Sequence, residues 1–186
     1  MEVVRHGFLN SDVREQRLIE QARNGSRDAF ERLVEPYVKA LFNYISFRVN
    51  DASDANDIIQ ETMLSIWQSI GSYGHGSSFK TWAFSIARRR LADFYRKSKK
   101  HDSLPLTDFE NVFTANGNIN ESIDRMDIDN ALLHLNSNEN ELVYLIFQAQ
   151  LSYQEISAVL GVPVGTIKSR MSSIKSKLRT LLSWEG

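Results

Sequence analysis

Residues Leu151 to Arg179 read LSYQEISAVLGVPVGTIKSRMSSIKSKLR, and this stretch predicts a helix, a tight turn and a second helix. Ser152 and Glu155 have the S-x-x-E spacing of a capping box, in which the serine hydroxyl and the glutamate carboxylate satisfy each other's free backbone N–H groups, so a helix starts near Tyr153. Ile156, Val159 and Leu160 follow at helical spacing and form its buried face. Gly161 supplies the left-handed residue that ends a helix, and Pro163 suits the first position of the next one. That second helix places Ile167, Met171, Ile174 and Leu178 on one side, with Lys168, Ser169, Ser172 and Lys175 pointing largely away from it. An apolar back with a cationic and hydroxyl front is what a helix needs to enter a DNA major groove. There, side chains reach base edges while flanking lysines and arginines meet phosphates. A helical hairpin with a merely solvated charged face is the competing reading of this segment alone.

Working outward, the 186-residue chain has room for one medium domain or two small ones. Its formal net charge of −1 conceals strong segregation. From Phe79 to His101, eight Lys/Arg stand against Asp93, whereas from Asp102 to Glu141 nine acids stand against Arg125. Gly165 to Thr180 then carries five basic residues and no acid. Two basic blocks separated by an acidic one suggest two surfaces for a polyanion. The chain has no cysteine, which excludes disulfides, thiolate metal sites and cysteine nucleophiles and fits a reducing, cytoplasmic setting. No apolar run approaches the roughly 20 residues needed to span a bilayer, so no membrane insertion is expected. The opening MEVVRHGFLNSD has no signal-peptide core, so export is not expected.

Almost everything outside the centre reads as helix. Ser11 or Asp12 caps a helix to about Asn24, and Ser26 caps another that carries Phe30, Leu33, Val34, Tyr37, Leu41, Ile45 and Val49 at spacings of three and four. Pro36 falls inside this second helix, where a lost hydrogen bond and a clash with the preceding turn predict a kink or break. Ser53 is the expected cap of a helix from Asp54 to about Ile70, with Ile59, Met63, Ile66, Trp67 and Ile70 as its apolar stripe. Asp54, Asp57 and Glu61 fall on another stripe, with Gln60 adjoining. Gly71 to Ser78 is a loop with three glycines, and Phe79 to Lys100 resumes as an aromatic and basic helix. Ser103 to about Asn120 shows no sustained periodicity. Helices return near Ile123–Leu135 and Glu139–Gln148. The fold class is therefore all-α: a first module over residues 10–100, a linker over 101–125 and a second module over 126–186.

Three ordered, widely spaced motifs, DANDIIQETMLSIW, FKTWAFSIARRRLADFYRK and LSYQEISAVLGVPVGTIKSR, carry a resemblance. The chain resembles a bacterial RNA polymerase sigma factor of the extracytoplasmic function group, reduced to regions 2 and 4 of the sigma-70 family. The resemblance covers about residues 26–100 and 126–182. It implies that region 2 binds core RNA polymerase and melts the −10 promoter element, and that region 4 reads the −35 duplex. The polymerase partner surfaces would be the beta-prime clamp helices and the beta flap, and an anti-sigma factor is a further expected partner. Asp57, Gln60 and Glu61, with Asp54 on the same stripe, align with the positions that contact the clamp helices. An acidic-polar stripe suits docking onto a basic coiled coil.

The resemblance also places a flipped −10 base against the loop before the basic helix, whose polar contacts would be Tyr73, His75, Ser77 and Ser78. The helix itself would add Lys80, Arg88, Arg89 and Arg96. Aromatic residues interleaved with cations are what single-stranded DNA requires, through base stacking and backbone charge. Which of Trp82, Phe84 and Ile86 faces the core stays open at this point. An asparagine typical of the family after Ile-Ala-Arg is replaced by Arg89, which alters any inherited base specificity there. For the −35 duplex the aligned positions are Thr166, Lys168, Ser169, Arg170 and Lys175, with Tyr153 and Gln154 near backbone phosphates. Ser172 and Ser173 stand where the family often has an arginine, which predicts an unusual −35 preference.

Two other classes compete. A stand-alone helix-turn-helix regulator would pair this motif with a strand-containing receiver or ligand domain, and residues 1–100 lack strand–helix alternation. An enzyme would need chemistry that is missing. His6, His75, His101 and His134 are scattered, no Gly-rich phosphate loop or serine elbow occurs, and no metal or cofactor site is expected.

Overall fold

The computed structural model describes residues 2–101 and 132–183. Seven helices make up the described residues: α1 (Glu2–Arg23), α2 (Arg27–Ser46), α3 (Ala52–Ser69), α4 (Phe79–His101), α5 (Ser137–Phe147), α6 (Tyr153–Leu160) and α7 (Val164–Ser183). A single turn of 3-10 helix, Ile70–Ser72, follows α3. The first helix therefore begins well before the expected Ser11 or Asp12. The linker and most of the expected helix over 123–135 lie outside the described residues.

Local chemistry sets most boundaries. The Ser26 hydroxyl accepts from Ala29 N at 3.2 Å and caps α2. Helix α2 then runs through Pro36 without a break. Pro36 and Arg32, whose carbonyl the proline leaves without its usual N–H donor, both lie on the exposed face, so that carbonyl is not stranded in the core. Helix α3 starts two residues earlier than Ser53 suggests. Asp51 is the cap, its carboxylate accepting from Ser53 N at 2.7 Å and Asp54 N at 3.1 Å. A carboxylate at that end also complements the helix dipole.

The buried face of α3 is Ala55, Ile58, Thr62 and Ile66, rotated from the expected stripe. Ile59 and Met63 pack at the edge of the core, and Ile70 is buried just beyond the helix. Thr62 is polar yet fully buried because its hydroxyl donates to the Ile58 carbonyl at 2.7 Å, so the group is not stranded. Trp67, expected in the core, is half-buried and packs edge-on against Phe30 at 5.0 Å.

Helices α1 to α4 pack on one another, and α5 to α7 form the helix-turn-helix end. The two groups touch. Helix α4 lies against α6, and the stack of Phe47 on Tyr144, with ring centroids 5.1 Å apart, joins α2's end to α5. Buried apolar side chains from both groups make one continuous cluster.

Candidate nucleic-acid and polymerase interface

The helix-turn-helix end matches its local signals closely. Ser152 and Glu155 form the reciprocal capping box, and Gly161 ends α6 at φ 69°. Pro163 sits one residue before α7, and its carbonyl accepts from Thr166 N at 2.9 Å and Ile167 N at 3.2 Å, which makes it the cap rather than the first helical residue. Ile167, Met171 and Ile174 are buried with Leu178 packed beside them. Lys168, Ser169, Arg170 and Lys175 are exposed, Thr166 is half-buried, and at the start of α6 Gln154 is exposed and Tyr153 half-buried. All of these except Gln154 and Tyr153 lie on α7, whose unburied face is cationic and hydroxylic.

On α3, Asp57, Gln60 and Glu61 are exposed and Asp54 is half-buried. Leu64, one turn on from Gln60 and Glu61, is 55% exposed. An apolar side chain among carboxylates gives this face both a steering field and a desolvated contact.

The loop and basic helix are more divided. Tyr73 is buried at 4% exposure; its phenol donates to the Ser77 carbonyl at 2.6 Å, and its ring meets Phe79 edge-on at 5.8 Å. Burial first, then the charge of Glu15, pushes its phenol above the usual range, so at neutral pH it stays a neutral donor. His75 is exposed and takes φ 55°. Phe84 and Ile86 are buried, while Trp82 is half-buried, 5.0 Å from the Tyr73 ring and 5.7 Å from Phe79. Arg89 and Arg96 are exposed, and Arg96 pairs with Asp93, which also holds Arg90 at 3.2 Å.

Three of the expected DNA contacts are turned to the other half of the molecule. Ser78 Oγ donates to Glu155 Oε1 at 2.8 Å, and Thr81 Oγ1 donates to the same oxygen at 2.9 Å. Lys80 Nζ donates to the Ala149 carbonyl, just past the negative end of α5. Arg88 pairs with Glu141 at 3.5 Å. Glu141, only 4% exposed, also accepts the Tyr44 phenol at 2.5 Å, and burial followed by that carboxylate pushes the phenol well above its usual pKa. Arg48 Nη1 donates to both the carbonyl and the hydroxyl of Ser137 at 3.0 Å. Tyr44, Arg48, Thr81 and Glu141 are the residues that sequence reasoning missed. Nothing local marks them, since their partners in the other half lie 53 to 97 residues away.

Fold and surfaces together define an all-helical protein in two parts, a four-helix part with an acidic face and a basic helix, and a helix-turn-helix end. The Sigma-70 region 2 family matches residues 33–101, and the Sigma-70, region 4 family matches residues 125–178. The chain is 32% identical over 168 residues to the ECF RNA polymerase sigma factor BldN of Streptomyces coelicolor, covering 86% of this chain and 62% of that protein. It is 24% identical over 176 residues to SigW of Bacillus subtilis, covering 88% and 94%. Among solved structures it resembles the sigma factor RpoE of Bartonella quintana in complex with the anti-sigma factor NepR, with a TM-score of 0.67 and 27% identity over 85% of this chain and 98% of that one. The chain belongs to the sigma-70 family of RNA polymerase sigma factors, in its extracytoplasmic function group.

Proposed function

We propose that this chain is the dissociable specificity subunit of RNA polymerase. Residues 10–100 bind the core enzyme and open the −10 element, residues 126–186 read the −35 duplex, and residues 101–125 connect them. The observation that carries this reading is the exposed stripe of Asp57, Gln60 and Glu61 on α3, in a chain whose opposite end presents Lys168, Ser169, Arg170 and Lys175. One face suits a basic coiled coil such as the beta-prime clamp helices, the other a DNA major groove. No nucleotide chemistry is needed from the chain itself, because strands separate when unstacked bases bind better than stacked ones. Nucleotidyl transfer belongs to the polymerase.

The family setting supports a cytoplasmic location, and among the described residues no helix is long and apolar enough to cross a membrane. An anti-sigma factor is the natural inhibitory partner, by analogy with the RpoE–NepR pair. Run-off transcription with purified core polymerase on a genomic fragment library tests the assignment. Discrete promoter-specific transcripts are expected only when the chain is added, and the double variant Asp57→Ala/Glu61→Ala should abolish them while leaving duplex binding by the helix-turn-helix end intact. A chain that shifts duplex DNA yet never joins core polymerase would instead be a stand-alone regulator.

A further inference from the structure

Helix α1 ends against the 3-10 turn that opens the −10 loop, although it precedes residues 33–101, which the region 2 family matches. Leu18, Ile19 and Ala22 of this helix are buried, and the Tyr37 phenol donates to the Glu15 carboxylate at 2.5 Å, so its last turn has a fixed place. Arg23 is its final residue, and the side chain reaches across to the loop. Its Nε donates to the Ile70 carbonyl at 3.3 Å, and its Nη2 donates to the Tyr73 carbonyl. The Ile70 carbonyl also accepts from Tyr73 N at 3.2 Å, so one guanidinium straps both ends of the turn. Its donors sit in a rigid planar fork, which an ammonium lacks. Glu20, 3.9 Å away on the same helix, is beyond hydrogen-bond reach and leaves the fork aimed at the loop.

The strap continues through Tyr73. Its phenol donates to the Ser77 carbonyl at 2.6 Å, and its buried ring packs on Phe79 and Trp82. Residues 74–76 therefore project from two pinned points. His75, in the middle of them, is exposed and holds a φ of 55°, and a residue with a Cβ keeps such a value only where the surrounding chain over-determines it. Resting on the −10 reading proposed above, we propose that Arg23 is a positioning residue for −10 recognition, holding the Ile70 and Tyr73 carbonyls so that the loop meets a flipped base already in its receiving shape. Arg23 itself touches no base in this arrangement. A loop held in one shape leaves a wrong base with unmade hydrogen bonds, whereas a loosened loop adapts to any of the four.

The test uses the full chain bound to core polymerase and fluorescent single-stranded oligonucleotides carrying the −10 element of a promoter found by run-off transcription. Each base of the element is replaced in turn by the other three, and binding is measured at several salt concentrations. The unaltered chain should prefer one base at the position facing the loop by about tenfold, as for one good base contact, and Arg23→Ala and Arg23→Lys should both bring that preference close to parity. Preferences at the other positions, −35 duplex binding and affinity for core polymerase should stay unchanged. Arg23→Lys is the decisive variant. It keeps the charge and loses the fork, so a lost preference has to come from lost geometry. If circular dichroism shows that Arg23→Ala fails to fold, Arg23→Lys carries the same expectation, as does Tyr73→Phe, which cuts the brace to Ser77 and keeps the ring.

A full base preference in folded Arg23→Lys overturns the positioning role. So does an equal loss for all four bases in Arg23→Ala that comes with a lower salt slope and is restored by lysine, because that pattern belongs to a phosphate contact. In both cases the −10 reading stands. If the unaltered chain shows no base preference anywhere in the element, the −10 reading itself falls and takes the role of Arg23 with it.

Discussion

Gly161 shows how much a single residue decides in this chain. Its φ of 69° lies in the left-handed region, and no atom lies within 4 Å of where a Cβ would sit. A side chain there would meet no clash with its surroundings, so the cost of Gly161→Ala is a backbone cost of about 1–2 kcal/mol. Thermal denaturation followed by circular dichroism should show that loss, with −35 duplex binding weakened in proportion to unfolding and no further. The position was legible because a helix-ending glycine acts within its own turn, and so was the Ser152–Glu155 box, whose two members stand three positions apart. Asp51 and Thr62 were not. Asp51 wins the cap of α3 from Ser53 because its carboxylate reaches two backbone N–H groups at once, a competition that residue type alone does not rank. Thr62 enters the core by bonding its hydroxyl to Ile58 O, and a count of apolar residues overlooks it.

At the scale of elements, periodicity succeeded where one face of a helix meets one neighbour. Helix α7 buries the predicted apolar side and exposes the predicted cations, since it packs only on α5 and α6 among its larger contacts. Helix α4 meets α2, α3 and α6, and three neighbours leave no clean stripe, so whether Trp82 or Phe84 is buried had to come from the structure. The exposed side of α7 separates two kinds of cation by experiment. Lys175→Ala should weaken duplex binding equally across sequences and lower the salt slope by about 0.9, the signature of one lost phosphate contact. Lys168→Ala should instead relax discrimination at one base pair of the −35 element by about 1–3 kcal/mol, as for a base-edge contact. Fluorescence anisotropy on a set of single-base-pair variants at several salt concentrations distinguishes the two. Equal, sequence-independent losses for both lysines would mean that α7 lies across the backbone instead of entering the groove.

Across the whole molecule, the contact between halves is what no local pattern could announce, and Glu155 ties it to pH. Burial alone would raise the Glu155 carboxyl. The bonds it accepts from the Ser152 backbone N–H and from the Ser78, Ser152 and Thr81 hydroxyls outweigh that and hold it below the ordinary glutamate range. A carboxyl depressed in the folded state contributes stability that is present above its unfolded pKa and is lost as pH falls through the folded one. Neutral pH therefore keeps the contribution whole, and acid removes it. Because Glu155 is partly exposed, solvent screening keeps the effect modest. The donors come from both halves, so the depression has two parts. Ser152 acts within α6 whether the chain is open or closed, whereas Ser78 and Thr81 act only while the halves are together. Removing the second pair with Ser78→Ala/Thr81→Val should move the Glu155 titration partway back toward the ordinary range, read from its side-chain carboxyl carbon by NMR. Adding core polymerase to the unaltered chain should produce a shift of the same sign, because opening withdraws the same two hydroxyls. A Glu155 titration indifferent to both changes would mean that the capping box alone holds the carboxyl down and that the halves do not share it in solution.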